Sequence, residues 1–531
     1  MLPRPPANRT TVEGETLPVR PSPATAPIEP KGVSPAPPSA TQEPASSARP
    51  WPRWIAIGAL CAVVFFIALW QSSADLHTSA FHPDESRWVN RAIYLEELKH
   101  PLSDFWEDRY LIRAQPPMGS YMIGLGLFLQ GKNLHTNGPW DFQYGFENAI
   151  TWNVSHGNMP TFDNLIAARQ WNMVLGALTC VMLVLIVGML VNWVGGAIAG
   201  LFMAIHPLHI YLSTLATSDA MFTTFVAFAV LAAVWLARKP TWGRSVLLAV
   251  ALGMGAATKL SPLIIAVAWT AYAFVLFLDP WLRSRERPVR EGKLVSRREL
   301  GWKLRVQTGL VGTFFVLGKA WKLVSRRELG TERQLGWKLL VQTGLVGSFF
   351  VLVYPFLWSD PIGRTRIIFD FRRYEMDNQA GFWPQAAIHG PRDAIERTWQ
   401  NLQDRTSSSG RIFTWLGDLF GRDWSGYSVD LYLAVPGLVV LVYLAWKNGL
   451  ASPQMLGMLA IAAQSVLILF ALGVDFNRYY EPLVFTTAAA VGVFIGWLAG
   501  LGWNAARSYN RQRSEAAPAC TQQSASSTQP A

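Results

Sequence analysis

Residues 116–129 read PPMGSYMIGLGLFL, and whether this stretch crosses a membrane decides which side everything after it faces. Fourteen residues make a helix of about 21 Å at ~1.5 Å per residue, short for a hydrocarbon core of about 30 Å. Counting it as a span would also place every later basic connector outside. The stretch is therefore expected to lie in the interface or to dip part-way into the bilayer.

Around it, the 531-residue chain is 51% hydrophobic, 12% aromatic and only 15% charged, outside the balance of a soluble globular protein. Apolar runs suited to spanning occur at about 54–70, 171–191, 194–212, 220–237, 245–259, 261–278, 339–357, 430–446, 454–472 and 483–503. The predicted fold class is all-α: a polytopic membrane protein of about ten transmembrane helices, with juxtamembrane helices in a long first outer loop. A net charge of +11 would suggest nucleic acid in a soluble protein. Here the basic residues gather in connectors: Arg53, then Arg238, Lys239 and Arg244, then Arg283 to Arg305, then Lys447, then Arg507 to Arg513. If every candidate crosses once, all five groups share one side, which the positive-inside rule makes cytoplasmic. The expected contact is anionic membrane lipid, with no nucleic acid.

Both termini are then cytoplasmic. Within a membrane domain of residues 51–505, residues 71–170 form a first outer loop, 281–338 a cytoplasmic loop and 358–429 a second long outer loop. Residues 1–50, rich in Pro, Ala, Ser and Thr, cannot bury enough apolar surface to offset ordering entropy and read as a disordered tail, as do residues 506–531. Trp54 to Trp70 lies too far into the chain for an ordinary signal peptide and reads as an anchor. WKLRVQTGLVGTFFVL (302–317) returns as WKLLVQTGLVGSFFVL (337–352). One extra copy cannot build a stack. With Arg305 inside it and Lys319 and Lys322 closing it, the first copy is expected at the cytoplasmic surface, and only the second crosses. Cys61 and Cys180 sit in apolar runs and Cys520 in a polar tail, so no disulfide framework is indicated.

This topology collects Asp84, Glu85, Arg113, Arg169, Asp219, Lys259, the run Arg364 to Arg373 and Arg478 on the outer face, on the non-cytoplasmic side. Acids and bases converging there suit a reaction between a lipid-borne phosphate and an acceptor. The spans carry almost no charge, His206 and His209 near an outer end excepted, which argues against an ion-coupled transporter.

The motifs PDE after the first span, QPPMGSYMI (115–123), AARQWNMVLGAL (167–178), HPLHIYLSTLATSD (206–219), TKLSP (258–262), YPFLWSDP (354–361) and NRYYEPL (477–483) run over about residues 54–505. In order and placement the chain resembles the C-type (GT-C) glycosyltransferases that use polyprenyl-phosphate sugars, such as dolichyl-phosphate-mannose protein mannosyltransferases and bacterial aminoarabinose transferases acting on lipid A. The resemblance implies catalysis on the outer face, a polyprenyl-phosphate sugar donor entering from the bilayer, a hydroxyl acceptor and inversion at the sugar. It assigns Asp84 as general base, a role that partial burial would favour by raising its pKa. Glu85 would orient the acceptor or a neighbouring group, and Asp219 would position acceptor or base. Arg169 and Arg478 match basic positions of the family and would neutralise the leaving phosphate, with Lys259 a further candidate. Gln115 stands where family members often carry Lys or His, and Arg113 is near enough in sequence to substitute.

Plainer readings stand beside these. Pro83, Asp84 and Glu85 suit a helix start, Asp219 opens the following span, and Arg169 and Lys259 suit headgroup anchors. The 364–379 run suits either phosphate or anionic headgroups. His82 and His389 lack close ligand spacing, so no metal and no cofactor is expected. Competing functions are an oligosaccharide ligase of related fold, a lipid or lipid-linked-sugar transporter or flippase, and a membrane scaffold.

Overall fold

In a computed structural model, the described residues are 51–138, 142–143, 148–286, 330–403, 407–471 and 473–525. They are helical almost throughout, and among them the β pairing is limited to one isolated bridge, Ala387 to Val474. The main helices are α1 (Trp51–Asp75), α2 (Pro83–Asn90), α3 (Met118–Leu129), α4 (Phe162–Leu190), α5 (Trp193–Ala204), α6 (Pro207–Ser213), α7 (Ser218–Arg238) and α8 (Trp242–Ala256). They continue as α9 (Leu263–Glu286), α10 (Thr331–Leu352), α11 (Pro361–Phe382), α12 (Pro391–Gln403), α13 (Ser408–Phe420), α14 (Asp430–Asn448), α15 (Pro453–Ala471) and α16 (Glu481–Ala525).

Among the described residues, six stretches are long and apolar enough to cross a membrane: Arg53–Asp75, Phe162–Leu190, Ser218–Arg238, Thr331–Leu352, Asp430–Asn448 and Asn477–Gln512. The chain is a multi-pass membrane protein. Three of the predicted spans, 245–259, 261–278 and 454–472, fall on helices with shorter apolar runs, Trp242–Ala256, Leu263–Leu278 and Pro453–Leu469. Predicted span 194–212 is broken: α5 and α6 meet at a 64° bend, and counting them as one span gives up to seven. The break follows from Pro207, which has no N–H for the helix ladder and drives His206 out of the helical region, to φ −71° and ψ 120°.

Small residues set the spacing of the bundle. A Cβ on Gly437 of α14 would meet the Ala490 carbonyl oxygen of α16 at 1.9 Å, and one on Gly195 of α5 would meet that of Gly492 at 2.5 Å. These backbones therefore touch, the close approach that supports membrane helix association by van der Waals packing. Trp269, Leu183 and Met203 lie fully buried in the main apolar cluster between these helices.

The stretch 116–129 forms α3, whose 12 residues are too few to span. Eight of its residues are buried, with Gly124 against the Ala92 carbonyl and Gly126 against Trp171, so most of the helix meets protein, while Phe128 and Leu129 at its end are exposed. Hydrophobicity alone does not distinguish a protein partner from a bilayer one. The first repeat copy, 302–317, lies outside the described residues, while the second lies within α10. Helix α16 continues past residue 506, where a tail is predicted, to Ala525.

The helix ends fall at two levels. Arg238 donates to the Met189 carbonyl and Gln454 to that of Leu190, so α4, α7 and the start of α15 meet at one level. Asp219, near the start of α7, lies about 30 Å away from Arg238 at ~1.5 Å per residue.

Candidate active site

At the Asp219 level, α2 begins with a capping box. His82 accepts a hydrogen bond from the Asp84 N–H at 3.2 Å, Glu85 accepts from the His82 N–H at 2.9 Å, and Pro83 occupies the first turn. Glu85 does much more than start the helix. It is fully buried and accepts from Arg169 Nε (2.8 Å), Arg169 Nη2 (2.7 Å) and the Ala216 N–H (2.8 Å) as well. Four hydrogen bonds fill the lone-pair sites of a carboxylate.

Arg169 is equally occupied. Besides the fork onto Glu85, its guanidinium donates to the carbonyls of Leu76 (3.2 Å), Ser79 (3.1 Å) and Ala80 (3.2 Å). All five N–H groups have partners, and the side chain is buried. In this arrangement no N–H remains for a phosphate. The pair instead ties the chain after α1, the start of α2, α4 and the turn before α7 into one unit.

Asp84 points the other way. Its side chain is 38% exposed and ion-paired with Arg478, with His82 Nδ1 at 3.9 Å. Burial pushes its carboxyl up, but the Arg478 charge and hydrogen bond outweigh that and hold it below the ordinary carboxylate value. The rise expected from burial alone is therefore reversed. Asp219, buried at the start of α7, pairs with Lys259 and accepts from the Thr217 hydroxyl at 3.1 Å. Tyr479 joins the two pairs: its ring centroid lies 5.5 Å from the Arg478 guanidinium and 5.8 Å from Lys259 Nζ. Two carboxylates and two cations thus form one cluster.

The turn that carries Arg478 is itself anchored through Asp475. That carboxylate receives Arg397 (3.3 Å), Asn401 (3.0 Å) and the Tyr480 hydroxyl (2.7 Å). Backbone bonds from Ile388 to Gly473 and from Asp475 to Ala386 fasten the same turn to the segment before α12.

Arg113 faces another wall, beside Asp108 at 3.4 Å and over the Phe371 ring at 5.1 Å. The 364–373 run is engaged there as well, with Arg364 on the Phe356 carbonyl (2.7 Å) and Arg372 on that of Ala114 (3.4 Å). Sequence reasoning missed Tyr479, Thr217, Tyr211, Asp475 and the buried pair His209–Glu481 at 3.0 Å. The motif NRYYEPL held two of these positions, Tyr479 and Glu481, yet only Arg478 was singled out. Among the described residues, no three His, Cys, Asp or Glu side chains form a group that could hold a metal ion.

A helical bundle with paired charges gathered at one level of its helix ends defines a polytopic membrane protein with a polar site. Residues 152–288 match the family model described as dolichyl-phosphate-mannose-protein mannosyltransferase; Arg169, Asp219 and Lys259 lie inside the match, Asp84 and Arg478 outside it. No curated protein matches the chain. Among solved structures, the chain is similar to the oligosaccharyltransferase AglB from Archaeoglobus fulgidus, in complex with an inhibitory peptide and a dolichol-phosphate. That match has 12% identity and a TM-score of 0.44, over 83% of this chain and 50% of that one. It is also similar to ArnT from Cupriavidus metallidurans bound to undecaprenyl phosphate, with 14% identity and a TM-score of 0.29, over 85% of this chain and 79% of that one. The chain spans about half the length of the archaeal protein.

Proposed function

We propose that this protein is a membrane glycosyltransferase that moves a sugar from a polyprenyl-phosphate donor to a hydroxyl acceptor on the non-cytoplasmic face, with inversion. The observation that carries this reading is the Asp84–Arg478 pair beside Asp219–Lys259, an ionised base set against cations at one end of the bundle. The family match over residues 152–288 points to the same class of reaction.

In the proposed step the acceptor hydroxyl oxygen forms a bond to the anomeric carbon while the bond from that carbon to the phosphate oxygen breaks. Asp84 takes the hydroxyl proton. Arg478, with Lys259, stabilises the phosphate that leaves with the bonding electrons, and a single displacement inverts the centre. Donor phosphate drawing on Arg478 would weaken its hold on Asp84 and raise the basicity of the carboxylate as the donor binds. Asp219 keeps Lys259 in place. Glu85 and Arg169 are positioning residues, fixing α2 and hence Asp84. Arg53, Arg238 and Arg244 belong to the opposite level, which the positive-inside rule makes cytoplasmic.

The test is reconstitution into vesicles with a radiolabelled polyprenyl-phosphate sugar and an envelope lipid and glycan extract. The reading predicts label in acceptor and free polyprenyl phosphate in equal amounts. Label that crosses the bilayer still attached to its carrier would make the protein a flippase and overturn it.

A further inference from the structure

Next to the charged cluster is a cavity of about 230 Å³, set between α6, α12 and the start of α16. Its lining combines polar side chains, His206, Tyr211, Asn401, Asn477 and Tyr480, with apolar ones, Pro207, Leu208, Leu402 and Val484. His206 reaches it because Pro207 breaks the span there, and its side chain is only 8% exposed. Its Nδ1 has no hydrogen-bond partner among the described residues. A buried, unpartnered ring nitrogen costs free energy unless something fills the space beside it. The cavity adjoins the reactive cluster through Asn477, whose neighbour is Arg478, and through Tyr211, which lies within the electrostatic reach of Arg478 and Asp219.

We infer that this cavity holds the transferred sugar ring and selects an uncharged one, an inference that rests on the glycosyl-transfer reading above. A pyranose or furanose has a rim of hydroxyls and an apolar C–H face, which matches a lining that mixes His, Tyr and Asn with Pro, Leu and Val. The volume falls just below the usual ~300–1,000 Å³ of a complete ligand pocket, as suits a subsite for one ring whose phosphate and polyprenyl chain lie elsewhere. No carboxylate, ammonium or guanidinium lines it. An amino sugar or a uronic acid would enter without a counter-charge, and a buried unpaired charge is disfavoured. A polyprenyl tail would gain nothing from the five polar side chains.

The experiment measures binding of three probes to the full-length protein in nanodiscs: polyprenyl-phosphate glucose, polyprenyl-phosphate 4-amino-arabinose and bare polyprenyl phosphate. Wild type should bind the glucose compound more tightly than either of the others. His206→Gln and Asn477→Ala should each weaken the glucose compound by roughly tenfold, the worth of one to two hydrogen bonds, and leave the bare carrier unchanged. Tyr211→Phe removes only a hydroxyl, so it gives a reading that does not depend on refolding. Equal losses for the sugar-bearing and bare carriers, or a preference for the amino sugar, would overturn the sugar subsite alone. Binding of none of the three probes would remove the glycosyl-transfer reading and the subsite with it.

Discussion

Replacing Arg169 with Met tests whether that residue holds the fold or the substrate. The change removes five donated hydrogen bonds at once, two to Glu85 and three to the carbonyls of Leu76, Ser79 and Ala80. It leaves the Glu85 carboxylate buried without its counter-ion. Breaking a buried pair from one side costs about 3–5 kcal/mol, and the abandoned carbonyls push the loss toward the upper end. Arg169→Lys keeps the charge but not the planar fork, so it should recover only part of this. Adding Glu85→Gln to Arg169→Met should restore roughly 2 kcal/mol, because the uncompensated charge disappears. The assay is unfolding in detergent followed by limited proteolysis, with polyprenyl-phosphate binding measured in parallel. Arg169→Met as stable as wild type but unable to bind polyprenyl phosphate would refute the reasoning and return Arg169 to the phosphate.

Other perturbations follow from the same contacts. Arg478→Gln removes the charge that holds Asp84 below its ordinary value. In wild type Asp84 therefore stays ionised until the pH falls below the usual carboxylate range, and its contribution to stability, present above ~3.9, is lost as pH drops through its lower folded value. In the variant the acid limb of the residual pH–rate profile should move to higher pH. Lys259→Met leaves Asp219 buried without its partner and should cost about 3–5 kcal/mol in the same unfolding assay, with Lys259→Met/Asp219→Asn milder than the single change. Gly437→Leu forces α14 off α16, where even a Cβ would lie 1.9 Å from the Ala490 carbonyl oxygen. It should destabilise by at least about 1–3 kcal/mol, read as a lowered thermal midpoint. Asp475→Ala frees the turn that carries Arg478 and should lower kcat more than it raises KM.

The helix start at Pro83 was legible, because a proline followed by acids has a local cause. The partners of those acids were not, since Glu85 finds Arg169 84 residues away and Asp84 finds Arg478 at a separation of 394. No local pattern records such pairings. The adjacent acids face different ways: one is sealed inside, the other half-exposed. The shortness of 116–129 was legible from counting, whereas its burial depends on Gly124 and Gly126, which let Ala92 and Trp171 approach. Pro207 announced the bend that the hydrophobic run concealed. The predicted length of 194–212 rested on apolar content, which a proline does not interrupt.

The most direct measurement is sugar transfer by Asp84→Asn in vesicles that contain labelled polyprenyl-phosphate sugar and acceptor. With Asp84 as base, transfer should fall by about 10²–10⁴-fold while donor binding persists, because Arg478 keeps its place over Phe476 and Tyr479. Transfer at the wild-type rate, with donor binding intact, would contradict the account.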